Sequence, residues 1–151
     1  MDLSERIEAF SGLGDYLKEN LQEIDHTTAL SVTGPAGIED GSPGFFADGG
    51  LAAAARRAEE ENPWFIPGFI HHALSETARL LLKENLEKWV SAYPEEKFRP
   101  GRPVSVGTIL AGNIPLVGFH DFLSILISGH GFIGKTSGKD SRLLPFLADR
   151  L

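Results

Sequence analysis

The sequence predicts an α/β fold, with a helical N-terminal segment followed by a strand–helix–strand–helix unit whose sheet is begun and not completed. Two observations carry this. Apolar residues recur at spacings of three and four over the first part of the chain, the period of amphipathic helices. Past Pro103 the pattern changes to short runs of small and β-branched residues alternating with helical stripes, the order expected of parallel βαβα units. The chain divides on this reading into residues 1–99, a helical lead-in with a Gly/Pro-rich loop at 25–50, and residues 100–151, the βαβα unit.

The first helix rests on Leu3, Ile7, Phe10, Leu13, Leu17, Leu21 and Ile24, which share one face, and on Asp2 with Glu5 at capping-box spacing. Gly12 and Gly14 weaken its middle by lost propensity. From Asp25 to Gly50 the pattern dissolves. Eight of the 17 residues from Gly34 to Gly50 are Gly or Pro, which reads as a long loop, with Phe45 and Phe46 as anchors to the body. Helix resumes from Leu51 to Glu61 and is stopped by Asn62-Pro63. Ile70, Ala73, Leu74, Thr77, Leu80 and Leu81 form the next stripe after Pro67. Leu86, Trp89 and Val90 mark a short helix that ends before Pro94, and Trp64 and Trp89 read as core anchors. Three prolines between Pro94 and Pro103 mark a boundary.

Val104 to Leu110 reads as a buried strand bounded by Pro103 and Gly112. A turn over Ala111–Leu116 leads into a helix carrying Phe119, Phe122, Leu123, Leu126 and Ile127, with Gly129 as its stop. Phe132 to Lys135 reads as a second strand. Ser141 opens a last helix through Leu143, Leu144, Leu147 and Leu151 that the sequence leaves uncapped. Two parallel strands are too few to stand alone, so the α/β unit reads as incomplete.

The chain has 151 residues, 14 Lys and Arg against 21 Asp and Glu, and no Cys. A net charge of −7 argues against a nucleic-acid-binding domain, which would present a basic face. Zero Cys excludes disulfides, thiolate metal sites and a cysteine nucleophile within these residues. No apolar run reaches the roughly 18 residues of a membrane span and no basic-then-apolar leader opens the chain, so a cytoplasmic location is expected. His71, His72, His120 and His130 lack a third ligand at supporting spacing, and no metal site is expected.

Gly129-His130-Gly131-Phe132-Ile133-Gly134-Lys135-Thr136 fits both the dinucleotide glycine spacing and the P-loop spacing. Either would offer backbone N–H groups to a phosphate, and either needs a strand before the loop and a helix directly after it. The period of Phe119 to Ile127 places a helix before it instead. After it no apolar stripe begins until Leu143. A small nucleotide-binding module using Gly129 to Thr136 is one alternative reading, and a non-enzymatic helical interaction domain is another.

From Asn62 to Leu151 the sequence resembles the luminescence-type acyl-CoA reductases, a branch of the aldehyde dehydrogenase superfamily. The resemblance is carried by Asn62-Pro63-Trp64-Phe65, by Glu84-Asn85-Leu86-Glu87-Lys88-Trp89, and above all by the block from Ala111 to Ser124, with Ile127–His130 and Lys135–Asp140 in register. Residues 1–61 match only in the first helix. The resemblance implies a Rossmann-like coenzyme domain at 100–151 and reduction of an acyl-CoA or acyl thioester to an aldehyde. The cofactor would be NADPH, with NADH as the alternative. A cysteine thiolate takes the acyl group in such enzymes, so these residues alone would be inactive and would form the N-terminal portion. Homo-oligomers or acyl-transfer proteins would be partners.

By the same resemblance Asn113 donates its side-chain amide to the developing oxyanion. A donor of this kind contributes roughly 3 kcal/mol in oxyanion holes. Leu110, Ala111 and Gly112 would line the cofactor, Lys135 would contact the adenosine ribose or its 2′-phosphate, and Ser137 would add a hydroxyl. Gly131, Gly134 and Gly138 stand where the family carries bulkier residues, and Gly138 removes a side chain that would reach the ribose.

Overall fold

The computed structural model describes residues 1–30 and 50–151. It contains helices α1 (Leu3–Leu30), α2 (Leu51–Glu61), α3 (Pro67–Leu80), α4 (Lys83–Val90), α5 (Phe119–Ile127) and α6 (Leu143–Ala148). A 3-10 turn (Glu95–Phe98) precedes strand β1 (Ser105–Ile109), and β2 (Gly131–Lys135) lies between α5 and α6. The fold is thus mixed helix and strand, with one two-stranded parallel sheet among the described residues.

Helix α1 starts as its sequence demands. The Asp2 N–H donates to Glu5 Oε2 (2.6 Å) and the Glu5 N–H to Asp2 Oδ1 (2.9 Å), a reciprocal capping box. Its apolar face packs against α2, α3, α4 and α5. The helix passes unbroken through both glycines. A Cβ on Gly14 would come within 2.8 Å of Leu81 Cβ, so the close approach to the end of α3 needs glycine there, whereas nothing surrounds Gly12. The expected loop at 25–50 is corrected at its start, because α1 continues to Leu30. Asp25–Leu30 contain no Gly or Pro, and extending a nucleated helix is easier than ending it. The Gly/Pro stretch and the Phe45 and Phe46 anchors lie almost wholly outside the described residues.

Helices α2, α3 and α4 fall where the stripes predict, with Pro67 in the first turn of α3. The Pro94–Pro103 stretch is less open than its composition suggests, since Phe98 is buried there. Arg6 fastens it. This arginine is itself buried, and it donates to Phe98 O (2.6 Å), Ile127 O (2.6 Å) and Asp2 O (3.0 Å). Burial lowers its pKa from the ordinary arginine value, with the Asp2 charge acting the other way. Ile127 ends α5, so the guanidinium also answers the negative end of that helix dipole. Gly129 follows with φ +89°, the left-handed stop expected of it, and its missing Cβ leaves room for Arg6 Nη1.

Strands β1 and β2 pair in parallel, from Ser105 opposite Gly131 to Ile109 opposite Lys135. Among the described residues only one face is covered. Phe132 packs edge-on against Phe122 of α5 (5.1 Å), while Ile109 on the other face is 87% exposed. The expectation of a buried first strand is therefore corrected. Burying both faces of a parallel strand takes layers on both sides, and here one layer is present among the described residues. Trp64 is corrected as well, being 79% exposed, whereas Trp89 does pack against the core. The last helix is shorter than expected. It spans Leu143–Ala148, and Asp149 caps it through its N–H to Leu147 O and Pro145 O, leaving Leu151 outside.

Candidate functional site

Because the strands are parallel, the exits of β1 and β2 lie at the same end of the sheet. Leu110 leaves β1 buried, its N–H donating to Lys135 O (3.0 Å), and its side chain packs beneath Gly118 and Gly134. Ala111 is exposed, Gly112 buried and Asn113 exposed. Gly112 lies directly against the loop leaving β2, since a Cβ there would stand 2.5 Å from Ser137 Cβ. Glycine is required for this close approach of the two exit loops. Lys135, at the end of β2, is exposed and makes no ion pair with the described residues. Ser137 Oγ accepts the Lys139 N–H (3.2 Å).

A third loop closes the group. Asn62 is buried at the end of α2, its Oδ1 accepting the Trp64 N–H (3.1 Å) and its Nδ2 donating to Lys139 O (3.0 Å). Nearby, Glu61 accepts hydrogen bonds from Ser141 (3.0 Å) and from the Arg142 guanidinium. The Arg142 hydrogen bond holds the Glu61 carboxyl below its usual range, burial opposes it, and Ser141 and the charges of Arg142 and Arg57 add to the lowering.

Between these loops and α3 is a cavity of about 850 Å³. Its walls are Trp64, Phe69, Ala73, Ile114, Pro115 and Val117, and its polar groups come from Asn62, His72, Glu76, Thr77 and Asn113. Trp64, Phe69 (57% exposed) and Ile114 (55% exposed) are large apolar side chains left uncovered around it. An apolar cavity with a few convergent polar groups is the usual form of a small-molecule site. A second cavity, about 620 Å³, lies between α1 and α6 around Tyr16, Phe146 and Arg150, and contains none of the site residues expected from sequence.

The structure thus brings Gly112 and Asn113 to the large cavity. Leu110, Ala111, Lys135 and Ser137 belong to the same end of the sheet but do not line it. The glycine-rich stretch is not a phosphate loop. Gly131–Lys135 is strand β2, preceded by α5, and the next helix starts only at Leu143. His120 packs against Trp89 (5.8 Å) and lies 3.3 Å from Ser124 Oγ, and His130 Nδ1 accepts the Val104 N–H (3.4 Å). No group of three potential metal ligands occurs among the described residues. Nor is any helix among them long and apolar enough to cross a membrane.

Sequence reasoning missed the part that three groups play here. Asn62 was read as a helix stop and, like Asp140, as a member of a matching block, with nothing in their spacing to reveal that they tie loops together. Leu116 adopts φ +59°, a left-handed conformation that no local pattern announces for leucine.

Two parallel strands with their exit loops at one end are compatible with a partial α/β fold. Comparisons with protein-family models, with curated proteins and with solved structures find no match.

Proposed function

We propose that this chain forms the helical lead-in and the first βαβα of a Rossmann-like coenzyme domain in an NADPH-dependent acyl-CoA reductase of the luminescence type. The observation that carries the reading is the position of Asn113. It leaves the first parallel strand at the end where the second also exits, and it lines an apolar cavity large enough for an acyl group. The resemblance of residues 62–151 supplies the chemistry, and the geometry is consistent with it.

The residues present fit the cofactor. Lys135 is an exposed ammonium without an ion-pair partner among the described residues, at the strand end where a ribose 2′-phosphate would need a cation. Gly112 leaves the backbone of the first exit loop in contact with Ser137, so both loops can face one ligand. NADPH supplies a hydride when bound. The chain's own part is to orient. The Asn113 amide would donate to the acyl oxygen of the bound thioester, and more strongly as that oxygen gains negative charge, and Trp64, Phe69 and Ile114 would shelter the alkyl chain from water. The thiol that accepts the acyl group is not among these residues, so turnover needs a cysteine from elsewhere.

The test is calorimetric titration of the 151-residue chain with NADPH and with NADH, and of its Lys135→Ala variant. Saturable NADPH binding is expected, with Lys135→Ala weakening NADPH more than NADH. No acyl-CoA reduction is expected in the same preparation. The proposal fails if neither nucleotide binds, or if the purified chain itself reduces acyl-CoA.

A further inference from the structure

We propose that Asp140 is a positioning residue that clamps the Asn113 turn in its working shape through the backbone N–H of Leu116. The functional part of this rests on the reading of Asn113 given above. Leu116 stands at φ +59°, where a branched side chain crowds its own backbone, and such a conformation persists only when its surroundings hold it. Asp140 Oδ2 supplies that hold, accepting the Leu116 N–H at 3.0 Å. The carboxylate is fixed from its own side as well. The Asp140 N–H donates to Ser137 O (3.1 Å), and Lys139 O is held by Asn62. A Cβ on Gly112 would come within 3.2 Å of Asp140 N, so the Asp140 loop touches the turn at one end and bonds it at the other, with Asn113 in between.

Asp140 is only 6% exposed, and its Oδ1 has no hydrogen-bond partner among the described residues. Burial pushes its pKa up, and the Leu116 N–H offsets this in part. A buried acid with a raised pKa makes folding less favourable as pH rises from its unfolded-state value, about 3.9, to its folded one. The group therefore works against stability at neutral pH while it restrains the turn. A charged acceptor holds a backbone N–H more strongly than a neutral one, and here it does so at 3.0 Å.

The experiment follows the Leu116 amide by NMR in the whole chain. In the native protein this amide titrates at a pH above the usual aspartate range, and Asp140→Asn abolishes that titration. Other ionisable groups around the loop are Lys135, Lys139, His72, Glu76 and the Glu61–Arg142 pair, so Glu61→Gln and His72→Gln serve as controls that leave it in place. Asp140→Ala should speed exchange of the Leu116 amide roughly 10- to 100-fold, the loss expected of a hydrogen bond to a charged group. Asp140→Asn, which can still accept, should restore most of the protection. If Asp140→Ala does not fold, the asparagine titration decides alone. An unmoved Leu116 resonance and exchange rate in a folded variant overturns the clamp. In parallel, dodecanoyl-CoA binding is read from Trp64 fluorescence in a Trp89→Phe background, with Asp140→Ala expected to weaken it as Asn113→Ala does. If the native chain binds no dodecanoyl-CoA, the reductase reading loses its support while the NMR result still judges the clamp. If it binds, and Asn113→Ala weakens it but a folded Asp140→Ala does not, the positioning role is refuted.

Discussion

Replacing Arg6 with alanine is expected to destabilise the protein by about 3–4 kcal/mol, from hydrogen bonding alone. The guanidinium donates to two backbone carbonyls it reaches across long stretches of chain, Phe98 O and Ile127 O, both at 2.6 Å in buried surroundings. A hydrogen bond to a charged group contributes about 1.5–3 kcal/mol, and an acceptor left buried without a partner loses that in full. The third acceptor, Asp2 O, is more open and adds less. Part of the sum is returned because the buried charge no longer has to be desolvated. For a chain of this length the change corresponds to a fall in Tm of roughly 10 °C. Urea denaturation followed by circular dichroism measures it. Arg6→Met fills the same space, and should be nearly as damaging as alanine because the carbonyls stay orphaned. Arg6→Lys keeps the charge without the planar fork and should recover about half. The reasoning is refuted if Arg6→Met is within about 1 kcal/mol of the native protein, for packing would then be the whole contribution.

The two glycines of α1 should respond oppositely to alanine. Gly12→Ala meets nothing and should stabilise by about 0.5–1 kcal/mol from helix propensity, whereas Gly14→Ala strikes Leu81 and should cost about 1–3 kcal/mol, both read from urea midpoints. Glu61→Gln should lower stability at neutral pH and flatten its decline on the acid side. The folded pKa of Glu61 lies below its unfolded value, so its contribution is present above about pH 4.3 and is lost as pH falls through the folded value. The difference between native and Glu61→Gln melting curves should be at most about 1 kcal/mol at neutral pH and vanish in acid, since the pair is partly exposed.

Much of the helical scaffold was legible because its signals are local. The bounds of α2, the proline start of α3 and the stop at Gly129 each follow from residues within one turn. The continuation of α1 to Leu30 was not, because the absence of a breaker is a weaker sign than its presence. Trp64 failed for a different reason. Hydrophobicity states what a side chain prefers, and a cavity wall beside the Asn113 turn leaves that preference unmet. The candidate site was half legible. The Asn113 turn and the Lys135 strand end stood out in order along the chain, but their common placement depends on the parallel register of Ser105 with Gly131. Arg6 gave no sign at all, since its acceptors are backbone carbonyls and carry no side-chain signature.

What the sequence by itself determined is the order of helices and strands, most of the apolar face that α1, α3 and α5 bury, the turn residues and the exclusion of thiol chemistry within these 151 residues. Periodicity, propensity and composition are properties of neighbouring residues, and they read directly. The tertiary structure alone decided that one sheet face stands open among the described residues. It also decided that Asn62, Asp140 and Leu116 meet around Asn113. Those outcomes turn on which distant backbone groups find each other once chain entropy has been overcome by packing, and no local pattern encodes that pairing.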